Sequence, residues 1–178
     1  MKFERTVLKD LVIIKHNIYE DKRGFFKERF KKNELETFLN QKLTFCQENS
    51  VKSSMNVLRG LHYQKKPYAQ SKLVSVNNGR ILDVCVDIRS ESKSYGEYFS
   101  YILDSKKHES LFVPKGFAHG YLTLSETAHV NYMVDNYYNK ESEMGINYND
   151  RRLNINWGVD DKLLIISEKD KSLEDFKW

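Results

Sequence analysis

Cysteine and proline are nearly missing from this sequence, with 2 of each among 178 residues. Cys46 and Cys85 are too few for a disulfide framework, and Cys85 lies inside an apolar run. The pattern argues for free buried thiols rather than a disulfide or a thiolate metal site. No stretch reaches the ~20 consecutive apolar residues of a membrane span. The start, Met1-Lys2-Phe3-Glu4-Arg5, alternates charge where a signal peptide would build an apolar core. A cytoplasmic protein without a membrane partner is expected. Charge of one sign is scarce too. Lys+Arg 29 against Asp+Glu 25 leaves +4, too little to mark a nucleic-acid binder when the basic residues are spread along the chain. Repeats, low-complexity segments and linkers are also lacking.

What is present suits one domain spanning residues 1–178. A chain of this length buries roughly 70% of the surface its unfolded form exposes, and 40% hydrophobic residues can fill such an interior. Short runs rich in Val, Ile, Tyr and Phe, separated by Asn, Gly, Lys and Ser, read as strands and turns. Lys72–Val76, then Asn77-Asn78-Gly79, then Ile81–Ile88 reads as a hairpin, because Asn and Gly supply the positive φ of a tight turn. Further strands are expected at Tyr98–Leu103, Ser110–Val113, Gly120–Leu124 and Val130–Val134. Helix is expected in two short stretches only. One is Asn33–Asn40, where Asn33 and Glu36 have capping-box spacing, and the other is the end from Ser172 onward. Many short strands in one domain point to an all-β sandwich or barrel, and the double-stranded jelly roll is the common solution at this length. On Ile81–Ile88, Leu82, Val84, Val86 and Ile88 share one face while Asp83 and Asp87 share the other. That alternation reads as a half-solvated sheet.

Pro114-Lys-Gly-Phe-Ala-His119-Gly-Tyr has the spacing of the second cupin motif, whose His points into the barrel. Metal cupins add an earlier His-x-His and a Glu, but here the earlier segment is Arg59-Gly-Leu-His62-Tyr-Gln64. With one ligand of that set missing, no metal is expected. Arg59, His62, Gln64, Lys72, His119 and Tyr132 all fall on or beside expected strands. A barrel that buried so many polar groups without a use would incur a large desolvation cost, so a lined cavity accounts for them better. Alternation puts Arg59 and His62 on opposite faces, and both reach one cavity only if the strand is bulged, with Gly60 the natural place.

The chain resembles the dTDP-4-dehydrorhamnose 3,5-epimerase family, a branch of the cupin superfamily, from about Asp21 to Asp170. The landmarks are Asp21-Lys-Arg-Gly-Phe-Phe-Lys-Glu-Arg-Phe30, Gln47-Glu-Asn49, Val57-Leu-Arg-Gly-Leu-His-Tyr-Gln64 and Gln70-Ser-Lys-Leu-Val74. They continue with Gly79–Arg89, Phe112–Glu126, Asn149-Asp150 and Ser167-Glu-Lys-Asp170. Their order makes the match specific. The chain departs from the family pattern at Ser50, Val51 and Lys52, where His, Ser and Arg are usual, at Tyr148, where Trp is common, and at Ser75, where Arg is frequent.

The resemblance implies a cupin jelly roll with a few short peripheral helices and an isomerase needing no cofactor. His62 matches the general base and Asp170 the carboxylate that orients it. Lys72 matches the cation near the C4 oxygen, and Tyr132 the general acid across the sugar ring. Arg23, Phe26, Glu28, Gln47, Glu48, Asn49, Arg59, His119, Tyr138, Glu143 and Lys169 match positions that contact a nucleotide sugar. Arg23 and Arg59 suit a diphosphate, since the guanidinium fork donates two coplanar hydrogen bonds. Tyr138 suits stacking on the base or closing the cleft. The implied reaction is epimerisation at C3 and C5 of a nucleotide-linked 4-keto-6-deoxy sugar. Its rivals are inversion at one carbon or action on another sugar, such as a GDP-linked one. Family members are usually homodimers that exchange N-terminal strands, and the β-prone run Leu11–Ile14 is compatible with that.

Overall fold

A computed structural model describes residues 1–177. The strands are β1 (Lys2–Arg5), β2 (Val12–Lys15), β3 (Ile18–Asp21), β4 (Gly24–Lys27), β5 (Gln47–Ser54), β6 (Leu58–Gln64), β7 (Lys72–Asn78), β8 (Arg80–Asp87), β9 (Tyr98–Asp104), β10 (Glu109–Val113), β11 (Phe117–Thr123), β12 (Thr127–Val134) and β13 (Glu143–Gly145). Helices α1 (Lys32–Leu39) and α2 (Glu168–Lys171) lie at the periphery. One sheet runs β1-β2-β10-β7-β12-β5, a second runs β13-β6-β11-β8-β9, and β3-β4 stand apart as a hairpin. From β5 to β8, and again from β9 to β12, consecutive strands alternate between the two sheets. That alternation is the double-stranded β-helix of the cupin jelly roll. Among the described residues, no helix is long and apolar enough to cross a membrane.

Three apolar clusters hold the layers together. Ile13, Val74, Ile81, Leu111, Phe117 and Val130 pack with their neighbours between the sheets. On the outside of the second sheet, Val84, Val86, Ala118 and Leu122 are covered by Ile146, Leu153 and Trp157 from the segment after β13. Outside the first sheet, Val12, Ile14 and Phe112 are covered by Leu35 of α1 and by Leu43. Each fully buried Leu, Ile or Phe contributes about 1.5–3 kcal/mol of transfer free energy, and each sheet is sealed on its outer face as well as its inner one.

That sealing reverses the reading of β8. Its apolar face of Leu82, Val84 and Val86 packs outward under the C-terminal segment, while Asp83 and Asp87 are fully buried, not solvated. The carboxylate face is the interior one. Asp87 is satisfied by Arg89 at 2.8 and 2.9 Å, Ser92 at 2.6 Å and Ser94 at 2.7 Å. Burial alone would raise its pKa, but these donors hold it down at about 2.

Other local expectations are corrected as well. β7 and β8 do not pair as a hairpin, because they belong to different sheets. Gly79, at φ +79, turns the chain from one sheet to the other, and a Cβ there would lie 2.1 Å from the Thr127 carbonyl oxygen. Helix α1 is capped at Lys31 without a side-chain bond. Asn33 is therefore internal, and Glu36 accepts from the Leu43 amide instead, at 2.8 Å. The second helix ends where it was expected to begin, at Ser172, having started under a Ser167 cap. Cys46 is exposed and only Cys85 is buried. The run at Leu11–Ile14 supplies β2, which pairs with β1 and β10 of its own chain.

Candidate active site

The interior of the barrel opens into a cavity with two lobes that share His62, Lys72 and Tyr132. The first lobe, about 310 Å³, adds Val51, Arg59, His119, Tyr121, Val130, Lys169 and Asp170. The second, about 370 Å³, adds Gln47, Asn49, Gln64, Gln70, Tyr138 and Glu143. Alternation along β5 explains part of this. Gln47, Asn49, Val51 and Ser53 take every second position and are each less exposed than the residues between them, so one strand delivers both amides and Val51.

Arg59 and His62 reach the same cavity through a bulge. His119 of β11 stands opposite His62 and Tyr121 opposite Arg59, so β6 spends one more residue than β11 over this stretch. Gly60 takes up the extra residue at φ +118, and its Cα side lies so near β11 that a Cβ would sit 2.6 Å from Gly120 Cα. The sequence Arg-Gly-Leu-His thus encodes a bend that puts a guanidinium and an imidazole on one wall.

Asp170 comes from α2 and is almost fully buried. Its Oδ1 accepts from His62 Nε2 at 2.7 Å, and its Oδ2 accepts from the Gly60 amide at 3.2 Å. Burial pushes the Asp170 carboxyl up, but the His62 and Gly60 bonds outweigh it and hold the pKa below the ordinary value. A carboxylate on Nε2 fixes the tautomer and leaves Nδ1 as the proton acceptor.

Lys72 donates to the His62 carbonyl oxygen at 3.3 Å. Burial lowers its pKa to about 8, against the opposing pull of Cys85, Asp83 and Glu143. His119 bonds through Nε2 to both oxygens of Asp83, at 2.9 and 3.0 Å. Burial lowers the His119 pKa although Asp83 favours its charged form. Tyr132 stands on β12, in the sheet facing His62, and burial raises its phenol above the ordinary value. Nearby, Arg59 Nε donates to Ser53 Oγ at 3.1 Å, and the Tyr121 hydroxyl lies 3.1 Å from the same oxygen.

At the rim, Glu143 holds Lys169 at 2.6 Å and accepts from the Tyr138 hydroxyl at 2.8 Å. Gln47 donates to Asn49 at 2.8 Å. Gln64 is used structurally, bonding the Tyr68 and Tyr137 carbonyls and the Asn139 amide. Glu48 faces the other way, onto the outer side of its sheet, where it accepts from Asn131. Arg23, Phe26 and Glu28 do not line the cavity of this chain. Phe26 is exposed on the β3-β4 hairpin, Arg23 pairs with Asp21 at 2.6 Å and Glu28 pairs with Lys31 at 2.8 Å.

As members of the site, Asp83, Tyr121, Ser53 and the apolar pair Val51 and Val130 escaped the sequence reading. Asp83 carried a usable signal, a carboxylate flanked by apolar residues in mid-strand. The aliphatic pair gave none, since any buried strand offers such residues.

Fold and cavity together define a cupin-type jelly roll whose interior carries histidines, a lysine and a tyrosine. Residues 5–177 match the model of a family described as dTDP-4-dehydrorhamnose 3,5-epimerase. The chain is 43% identical over 173 residues to the dTDP-4-dehydrorhamnose 3,5-epimerase of Escherichia coli strain K12, covering 97% of this chain and 93% of that protein. The crystal structure of the Elizabethkingia anophelis dTDP-4-dehydrorhamnose 3,5-epimerase superposes with a TM-score of 0.96 at 44% identity, over 99% of this chain and 96% of that one. A Legionella pneumophila dTDP-6-deoxy-D-glucose-3,5-epimerase, solved with dTDP-4-keto-L-rhamnose, gives 0.93 at 40% identity over 98% and 92%. The chain belongs to the dTDP-4-dehydrorhamnose 3,5-epimerase family and is an isomerase.

Proposed function

We propose that this chain epimerises C3 and C5 of dTDP-4-dehydro-6-deoxy-D-glucose, giving dTDP-4-dehydro-L-rhamnose. The observation that carries the reading is that His62 and Tyr132 come from opposing sheets and share one cavity with Lys72. His62, its Nε2 tied to Asp170, removes the proton from the carbon beside the C4 ketone. The electron pair moves onto the C4 oxygen, and the Lys72 ammonium stabilises that enolate. Tyr132 then returns a proton from the opposite face. Preorganised donors of this kind lower a barrier by ~3–4 kcal/mol each. No cofactor enters the scheme, since the proton alpha to a ketone is already acidic enough for a positioned base.

Gln47, Asn49, Arg59, His119, Tyr138, Glu143 and Lys169 bind the nucleotide and diphosphate in this reading. Arg23, Phe26 and Glu28 serve it from a second copy. A homodimer supports their use because the β3-β4 hairpin is hydrogen-bonded into neither sheet and leaves Tyr19 and Phe26 exposed. The test is incubation with dTDP-4-keto-6-deoxyglucose and the reductase that consumes the epimerised product, with deuterium incorporation followed by NMR. Label at both C3 and C5 is expected. Label at one carbon alone identifies a monoepimerase, and no label refutes the reaction.

A further inference from the structure

Behind the cavity wall stand two side chains that no step of the proposed chemistry uses, packed against His119 of the cavity lining. Asp83 and Cys85 are successive inward-facing residues of β8, both fully buried, and His119 stands beside them on the paired strand β11. Cys85 Sγ donates to Asp83 Oδ1 at 3.6 Å, and His119 Nε2 lies 2.9 Å from Asp83 Oδ2. One ligand atom from each of the three lies within 4.8 Å of the other two. A tetrahedral ion with bonds of about 2.0–2.3 Å needs its donors roughly 3.3–3.8 Å apart. The thiol and carboxylate already have that separation at 3.6 Å, and the imidazole lies within 4.8 Å of both. His119 lines the first lobe of the cavity, which gives an ion a way in.

We propose that Asp83, Cys85 and His119 form an inhibitory site for a soft divalent cation of the zinc and cadmium class. One thiolate, one imidazole and one carboxylate are a donor set these ions favour, and cavity water can complete the shell. On binding, the Cys85 S–H bond breaks, an S–metal bond forms and the thiol proton leaves to solvent. His119, whose ring proton sits on Nε2 toward Asp83 in the free protein, shifts to the Nδ1–H tautomer and gives the Nε2 lone pair to the ion. Nothing is oxidised or reduced. Lys72 and His119 line the same lobe of the cavity, and the Asp83 carboxylate is among the groups that favour the charged form of the lysine. A divalent cation at His119 repels the ammonium in that lobe, so the enolate loses its counter-charge. Inhibition rests on the epimerase reading; the site does not.

Cadmium is the probe, because its thiolate complexes absorb in the ultraviolet. The exposed thiol is first removed by Cys46→Ser. In that background Cd²⁺ should produce a thiolate charge-transfer band saturating at one equivalent per chain, with turnover falling roughly 10²-fold, the scale of losing one preorganised charge. Cys85→Ala and Cys85→Val, added to the same background, should keep basal turnover and show neither effect. Absence of the band while Cys85 is present refutes the site, whatever the enzyme's substrate. A band without loss of turnover refutes the link to Lys72. Equal inhibition in the Cys85 variants places the ion elsewhere and overturns the proposal.

Discussion

His62 Nε2 lies 2.7 Å from Asp170 Oδ1 although 108 residues separate them in the chain. The contact joins the middle of β6 to a one-turn helix near the C-terminus, and the same carboxylate accepts from the Gly60 amide. A single side chain therefore holds both the imidazole and the bulge that aims it. His62→Ala should cut turnover by ~10²- to 10⁴-fold, the usual contribution of a general base, with circular dichroism unchanged. Asp170→Asn should be clearly impaired but less so. Folded His62→Ala with near-native rates removes this residue from the chemistry.

The bulge itself can be tested. Gly60 has φ +118, and a Cβ there would meet Gly120 Cα at 2.6 Å and the His119 carbonyl oxygen at 2.9 Å. Gly60→Ala should lower stability by roughly 1–3 kcal/mol, which is about 2–4 °C of melting temperature for each kcal/mol at this size. It should also lower kcat/KM, because Arg59 and His62 lose their common wall. A variant with native melting temperature and rate shows that the bend does not depend on glycine.

Burial lowers the Lys72 pKa to about 8, and in the proposed scheme the ammonium is the form that stabilises the enolate. Activity therefore falls as pH rises through about 8 and the lysine becomes neutral. The kcat/KM profile should show that basic limb. A profile flat to pH 10 excludes a protonated Lys72 from the rate-determining step.

In the proposed scheme the histidines and carboxylates of the cavity serve proton transfer and substrate binding. Prolonged dialysis against EDTA should leave turnover intact. Loss of activity on chelation, restored by one particular metal, overturns the mechanism.

Much of this was legible in the sequence because the jelly roll repeats a simple code. Runs such as Ile81–Ile88 alternate as a strand does, with Leu82, Val84 and Val86 on one face and Asp83 and Asp87 on the other, and the motifs around His62, Lys72, His119 and Asp170 bring their side chains to one cavity. Pairing was harder to read. Asn77-Asn78-Gly79 carries the chemistry of a hairpin turn, yet the chain crosses between sheets there, because turn residues specify a bend and not the partner of the following strand. Asp83 was hidden for a related reason. Which face of β8 is interior depends on Ile146, Leu153 and Trp157, which cover its aliphatic side from far along the chain. Glu36 shows local competition, since its carboxylate goes to the Leu43 amide rather than to a helix cap.

The division of labour between His62 and Tyr132 is the central claim, and one isotope measurement addresses it. Tyr132→Phe keeps the ring and loses the hydroxyl, so packing changes little and the defect should be chemical. With dTDP-4-keto-6-deoxyglucose in D₂O, NMR reports both deuterium washed into the substrate and epimer formed. Tyr132→Phe should exchange hydrogen for deuterium faster than it inverts, because the enolate is quenched on the face it came from, whereas His62→Ala should do neither. Loss of exchange and inversion in equal proportion in Tyr132→Phe, or loss of neither, contradicts an acid on the opposite face.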